Sequence, residues 1–311
     1  MKKLFIILIL ISSSYVLGYT GSGYQYGYSA KSFALSDALV ADNYQTFQTF
    51  SNPSSLYQCS GTHYGISYFG MSLDRSIQNF YFSKSLIGNA GISLAILRVS
   101  SGNFMGKDSF NNPTHEISMS DYYGVLSFGV KAFGNNAIGL SMKLHYSNFN
   151  INEEHTDSYT GNSVALDLGW SKSISDQLKL GLKAQNIISP GLNWSIDIGS
   201  GLPSSYTEEY PLILSIGSLY KPHQNHKILF QYDYINYDSY TQYISKLGYQ
   251  YLINNKLSLR LGLKGTKDIR FGFGYSFDIN DTLPLLLDYS LHLGSENEGI
   301  SHLFTWSFNI R

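Results

Sequence analysis

"KLSLRLGLKG", residues 256–265, sets Arg260 and Lys264 within a run that is otherwise mostly leucine. Read with a period of two, Leu257, Leu259, Leu261 and Leu263 share one face, while Ser258, Arg260, Gly262 and Lys264 share the other. That is a β-strand with one apolar and one polar face. A soluble antiparallel sheet with one wet face shows the same alternation, so the rest of the chain has to arbitrate.

Outward from this stretch the pattern recurs. Ile138, Leu140, Met142, Leu144 and Tyr146 alternate with Gly139, Ser141, Lys143 and His145. Val164, Leu166, Leu168 and Trp170 oppose Ala165, Asp167, Gly169 and Ser171, and Leu178, Leu180 and Leu182 oppose Lys179, Gly181 and Lys183. Ile269, Phe271, Phe273, Tyr275 and Phe277 oppose Arg270, Gly272, Gly274, Ser276 and Asp278. The pattern predicts strands at 62–70, 77–86, 90–98, 121–132, 136–150, 160–174, 177–186, 210–220, 226–236, 242–251, 256–265, 269–278, 284–292 and 300–310, fourteen in all. Alternation is weakest at 77–86 and 226–236.

Every second connection is short, none longer than the five residues of 221–225, whereas the opposite set contains the long segments 99–120 and 187–209. Short turns on one rim and longer loops on the other, with an even strand count, are the marks of an outer-membrane barrel. No stretch beyond residue 18 has the ~20 consecutive apolar residues of a spanning helix, so the backbone can satisfy itself in hydrocarbon only as a closed sheet. The expected fold is all-β, a 14-stranded antiparallel transmembrane β-barrel with a short N-terminal helical or plug segment. Arg or Lys facing lipid at the midplane costs ~2–4 kcal/mol, so the charged faces are expected to line the lumen. On this reading Leu261→Arg damages assembly and Arg260→Leu does not.

The opening "MKKLFIILILISSSYVLGYT" has two lysines, an apolar run and small residues suited to cleavage after Gly18, the pattern of a secretory signal peptide. The expected division is 1–18 signal peptide, 19–61 N-terminal segment and 62–311 barrel, with the mature chain integral to the outer membrane. A helix is expected over Ser29–Ala41, followed by a break at "SNPSSL" where Asn52 and Pro53 form a tight turn. With 26 Tyr, 18 Phe, 29 Gly, only 14% charged residues and a net charge of -1, nothing suggests a nucleic-acid partner. The single cysteine, Cys59, excludes an intramolecular disulfide framework and reads as a small packed residue.

"YSAKSFALSDALVADNYQTFQTFSNPSSLYQ" resembles the N-terminal signature of the PorV/PorQ group of outer-membrane proteins, relatives of the FadL fatty-acid transporters. Its counterparts here are Ser29, Ala30, Lys31 and Ser32, then Ala38, then Asn52, Pro53 and Ser54. "GISLAILRVSSGNF" (Gly91 to Phe104), the strand opening "SDYYGVLSFGVK" and "GLKAQNI" (Gly181 to Ile187) are similar to the third, fourth and seventh strands of that group. The terminal "FTWSFNIR" resembles the signal read by the barrel-assembly machinery. The resemblance implies either an accessory role in type IX protein secretion, with secretion components or exported cargo as partners, or passage of hydrophobic small molecules across the outer membrane.

Candidate lumen-lining residues are Lys143, His145, Asp167, Lys179, Lys183, Lys246, Arg260, Lys264, Arg270, Asp278, Asp288 and His292. Asn52 and Pro53 are the candidate plug or turn residues. The eight histidines show no metal-ligand spacing, "GSGYQYG" (Gly21 to Gly27) lacks the βαβ context of a nucleotide loop, and no cofactor is expected. Glu153, Glu154, His155 and Asp157 share one loop, but no serine, base and orienting group can be assembled there, so an enzyme is not expected. The predicted inward face is mostly Gly, Ser, Lys, Arg and Asp, which favours the secretion role over a lipid channel, since apolar ligands need apolar walls. Against that stand Phe33, Leu35, Leu39, Phe47 and Phe50 of the N-terminal segment, which could supply an apolar lining.

Overall fold

The computed structural model describes residues 20–152, 158–197, 204–237, 240–279, 283–294 and 299–310. Sixteen strands follow in chain order: β1 Thr62–Gly70, β2 Ser76–Leu86, β3 Ala90–Lys107, β4 Pro113–Lys131, β5 Asn136–Asn152, β6 Ser158–Ser173, β7 Leu178–Ile188, β8 Leu192–Asp197, β9 Ser204–Glu208, β10 Leu212–Tyr220, β11 His226–Tyr237, β12 Tyr240–Ile253, β13 Leu257–Lys264, β14 Asp268–Ile279, β15 Leu283–His292 and β16 Ser301–Ile310. Fourteen of them form a closed antiparallel ring. Sequential strands pair throughout, except that β7 pairs with β10 and the β8–β9 hairpin extends from the first residues of β6. β1 and β16 close the ring in unbroken register from Thr62↔Ile310 to Gly70↔His302, leaving no open edge.

The alternation that opened the sequence reading is realised as an outward apolar belt. Leu259 and Leu261 are exposed on β13 while Ser258 and Arg260 are buried. Ile138, Leu140, Met142, Leu144 and Tyr146 do the same on β5 against buried Ser141, Lys143 and His145. Apolar side chains exposed over the whole circumference are stable only against hydrocarbon, so the barrel is a membrane barrel.

Three expectations change in detail. The loop expected at 99–120 is mostly strand: β3 and β4 run on past the belt, through irregularities at Ser100/Asn103 and Met105/Lys107, to a turn whose Asp108 carboxylate accepts from the backbone N–H groups of Phe110 and Asn112. The segment 187–209 holds β8 and β9. The helix expected over Ser29–Ala41 spans only Ala30–Ala34. A Ser29/Ser32 capping box starts it, and Ser36 and Asp37 end it by taking the left-handed conformation, at φ 53° and 57°. Glu153, Glu154, His155 and Asp157, like the expected signal peptide, lie outside the described residues.

Residues 20–61 occupy the lumen as a hatch. Ala30, Phe33, Ala34, Leu35 and Leu56 have no solvent exposure. The hatch has little regular structure: the Ala30–Ala34 helix, a turn of helix at Gln48–Ser51, and 3-10 turns at Ser22–Gln25 and Pro53–Gln58. It lies against the wall where the inward residue is glycine. A Cβ on Gly91 would stand 2.2 Å from the Leu56 carbonyl oxygen, on Gly129 2.3 Å from that of Pro53, on Gly139 2.3 Å from Ser54 N, and on Gly181 2.1 Å from the Val40 carbonyl oxygen. Gly91, Gly129, Gly139 and Gly169 are direct cross-strand neighbours, so they form one row across β3–β6.

Leu261→Arg is expected to lower the yield of folded, heat-modifiable barrel, because it moves a cation into lipid at a cost of ~2–4 kcal/mol near the midplane. Folding equal to the parent on denaturing gels run without heating would show that Leu261 does not face hydrocarbon.

Candidate functional site

The inner wall is divided into two sectors. The charged sector runs from β5 to β15. Asp167 is paired with Lys143 at 2.8 Å and Lys183 at 3.6 Å, Asp233 with Lys246 at 2.7 Å, and Asp288 with Arg260 at 2.6 Å. Arg270 bridges Asp268 at 2.7 Å and the hatch residue Asp37 at 3.3 Å. His292 lies 3.4 Å from Asp268 and His145 3.2 Å from Asp121, with its other ring nitrogen against the Tyr210 hydroxyl.

Of the sequence candidates, Lys143, His145, Asp167, Lys179, Lys183, Lys246, Arg260, Arg270, Asp288 and His292 are all buried in the interior. Lys264 is half-buried at the end of β13, opposite Lys246 and Asp268 in register. Asp278 is exposed near the end of β14, away from the others. The candidates therefore do not line an open water-filled lumen; most sit in ion pairs against the hatch. That alters the expectation for Arg260→Leu, which would strand Asp288 as a buried, uncompensated charge.

Several of these groups serve the hatch backbone. Lys179 Nζ donates to the Asp42 carbonyl oxygen at 3.1 Å and Lys183 Nζ to that of Phe50 at 2.6 Å. Gln231 accepts from Val40 N at 2.9 Å, Thr305 Oγ1 from Ala30 N at 2.8 Å, and Asn79 donates to the Tyr28 carbonyl oxygen at 3.0 Å. Asn52, the expected turn residue, caps the Pro53–Gln58 turn by accepting from Ser54 N at 3.1 Å. Its amide also donates to the carbonyl oxygens of Val40 at 2.7 Å, Trp170 at 3.1 Å and Leu182 at 3.3 Å, tying the turn to β6 and β7. Pro53 opens the 3-10 turn, where its missing N–H costs nothing.

Asp42 is a second anchor, within 3.2 Å of Lys31 and 3.5 Å of Lys227. Burial alone would raise its carboxyl, but Lys227 and Lys31 hold it well below the usual carboxylate range. Burial pushes the Cys59 thiol up, as befits a packed residue with little thiolate character.

The second sector is uncharged, with Ser67, Asn79, Ser83, Ser93, Ser127 and Thr305 buried beside a cluster of apolar residues, and that cluster was not legible as such. On β16 and β1–β4 the inward residues include Phe69, Ile77, Tyr81, Leu97, Tyr123, Val125 and Leu303, and no charged side chain is buried there among the described residues. Aromatic side chains of the hatch face this wall: Phe33 stands 5.0 Å from Phe69, Tyr26 5.8 Å from Phe69, Tyr24 5.4 Å from Tyr123 and Phe47 5.3 Å from Tyr81. One signal could have found it: the alternation fades at β2, where Ile77 and Tyr81 point inward while Phe80 is exposed outward, because both sides of that strand are dry.

A membrane barrel filled by an N-terminal hatch, with one uncharged and one charged inner sector, is the class these features define. Neither a protein-family model nor a curated protein matches the sequence. Among solved structures the fold is shared with the Ralstonia pickettii toluene transporter TbuX (TM-score 0.68, 11% identity, 92% of this chain and 99% of that one). It is likewise similar to the Pseudomonas putida toluene transporter TodX (0.63, 14%, 91% and 96%) and to a Pseudomonas aeruginosa FadL homologue (0.62, 9%, 91% and 98%). The chain thus has a FadL-like barrel fold.

Arg260→Leu is expected to destabilise the barrel by about 3–5 kcal/mol, and Arg260→Leu with Asp288→Leu to recover much of that, in urea unfolding from detergent or bilayer. A double variant whose loss equals the sum of the losses of Arg260→Leu and Asp288→Leu alone would show that the pair carries no coupling. Gly169→Val sets a branched side chain where even a Cβ would be 2.2 Å from Asn52 Oδ1. It should leave a folded barrel whose residues 20–61 are cut more readily in limited proteolysis, and an unchanged cleavage pattern would count against hatch docking at this glycine.

Proposed function

We propose that the chain is an outer-membrane channel for hydrophobic small molecules, made as a precursor that loses residues 1–18, with 19–61 as the hatch and 62–311 as the barrel. The observation that carries this reading is the apolar cluster of the inner wall, Phe69, Ile77, Leu97, Tyr123, Val125 and Leu303, facing hatch aromatics that must move or give way for anything to pass. An apolar solute gains from such a wall what a polar one would lose. The solved structures of the same fold include proteins described as toluene transporters and a monoaromatic hydrocarbon channel, which agrees in solute chemistry. In this reading the rim with short turns is periplasmic and the long β3–β4 and β8–β9 hairpins face outward. The type IX secretion reading rested partly on an inward face expected to be mostly polar, and the apolar cluster speaks against that ground.

In a deletion strain, uptake of a labelled monoaromatic hydrocarbon or fatty acid is expected to fall while the secreted proteome stays the same. Restoring the gene with Leu97→Asp, which sets an unpaired charge into the apolar wall, is expected to restore the barrel in the outer-membrane fraction but not the uptake. Unchanged uptake with a depleted secretome would overturn the proposal in favour of the secretion role.

A further inference from the structure

Charge balances through most of the interior and fails to balance in one place. Away from the short-turn rim, Lys143, Lys183, Lys246, Arg260, Lys264 and Arg270 stand among an equal number of carboxylates, Asp37, Asp121, Asp167, Asp233, Asp268 and Asp288. At the short-turn end of β7, β10 and β11, four lysines, Lys31, Lys179, Lys221 and Lys227, meet one carboxylate, Asp42, an excess of three. Asp176 and Asp278, further carboxylates of that rim, are exposed to water.

Asp42 is already engaged. Its carboxylate accepts from Gln45 Nε2 at 2.6 Å, Asn43 N at 2.8 Å and Lys31 Nζ at 3.2 Å, with Lys227 Nζ at 3.5 Å, and its carbonyl oxygen takes Lys179. β10 and β11 pair as far as Tyr220↔Ile228, and the next step sets Lys221 opposite Lys227, ~5 Å apart at Cα, on the inward face they share with buried Leu219 and Leu229. Like charges directly opposed destabilise a sheet, and buried ammonium groups without counter-charge are costly. Neither Nζ donates a hydrogen bond among the described residues, and Lys221 has no ion pair there. Burial lowers the Lys31 ammonium to about 7 against the pull of Asp42, and Lys227 adds to the fall; burial and Lys227 lower Lys221 in the same way.

We propose that Lys221 and Lys227, backed by Lys179 and Lys31, hold one phosphate-type oxyanion at the short-turn mouth, and that this anion completes the seating of the hatch. Its oxygens take the ammonium protons that Asp42 leaves free, which removes the repulsion between β10 and β11. Lysine binds phosphate as a point charge, and an excess of three favours a dianion over chloride. The cations are recessed, Lys179 buried and Lys221 and Lys227 half-buried, which selects a small anion over the acidic surface of a partner protein. Their inward siting selects a soluble phosphate over a bilayer headgroup. The site lies apart from the apolar cluster, so it stands or falls independently of what the channel carries.

The test is equilibrium dialysis of the whole barrel with its hatch, in detergent, against radiolabelled inorganic phosphate at constant ionic strength. One phosphate per chain is expected to bind, and Lys221→Gln, a change at a half-buried position without an ion pair, to weaken it roughly tenfold, while Lys256→Gln on another turn does not. A second measurement reads the hatch: saturating phosphate should slow cleavage of residues 20–61 in limited proteolysis roughly tenfold in the parent and not in Lys221→Gln, and chloride at equal ionic strength should give no protection. Absence of bound phosphate, binding that survives Lys221→Gln, or protection that chloride matches would each overturn the proposal. So would protection by polyglutamate but not phosphate, which would point to an acidic partner, or by phosphatidic acid in nanodiscs but not soluble glycerol 3-phosphate, which would point to a lipid.

Discussion

Carbonyl and amide groups of the hatch come within a methyl group's reach of the barrel wall, and the rest of the structure depends on that approach. The row Gly91, Gly129, Gly139 and Gly169, together with the neighbouring pair Gly181 and Gly217, is the wall's side of the contact. Glycine in a strand gives up packing and costs chain entropy, and here it is repeated in register on strands far apart in sequence. The apposed backbone fills the space that side chains would otherwise take. Inside, the approach fixes the height and orientation of Asn52–Leu56; outside, it leaves a hollow between β4 and β11.

A segment with so little regular structure cannot satisfy its own backbone groups, and inside a barrel it has little water to turn to. This explains the buried polar groups of both sectors better than a polar lumen does. Lys179, Lys183, Asn52, Asn79, Gln231 and Thr305 complete hydrogen bonds that a helix would have made internally. The carboxylates Asp167, Asp233 and Asp288 then balance cations brought into the dry interior, at a desolvation cost that each pair must offset. The uncharged sector has no buried charge to balance among the described residues: there the hatch carbonyls meet Asn79 and the glycines Gly91 and Gly129, and its aromatic rings meet Phe69, Tyr81 and Tyr123.

The barrel was legible because a bilayer imposes a strict rule on every strand: Leu261 out and Arg260 in, Leu140 out and Ser141 in, with turn lengths recording the two rims. Strand existence and the outward face followed from that rule. The inside obeys no comparable rule. Gly139 and Lys143 both read as polar or small, yet one marks a backbone contact and the other an ion pair with Asp167. Ile77 and Tyr81 broke the alternation, and the break looked like weak patterning although it marked the dry sector. Asp42 and Asp37 gave no sign in sequence of their partners Lys227 and Arg270, which follow only from how the hatch threads the lumen.

The hatch is synthesised before the barrel that holds it, and its contacts lie at great sequence distance. Ala30 N bonds to Thr305 across 275 residues, Asp37 meets Arg270 across 233, and Asn52 reaches Trp170 and Leu182 across 118 and 130. Contacts so distant form late, because the intervening chain must be ordered first. The capping box at Ser29 and the Asn52 turn, in contrast, join residues only two or three apart and need no distant strand. Thr305 belongs to β16, the strand that closes the wall on β1, so the hatch's bond to it can form only once the last strand of the chain is in place.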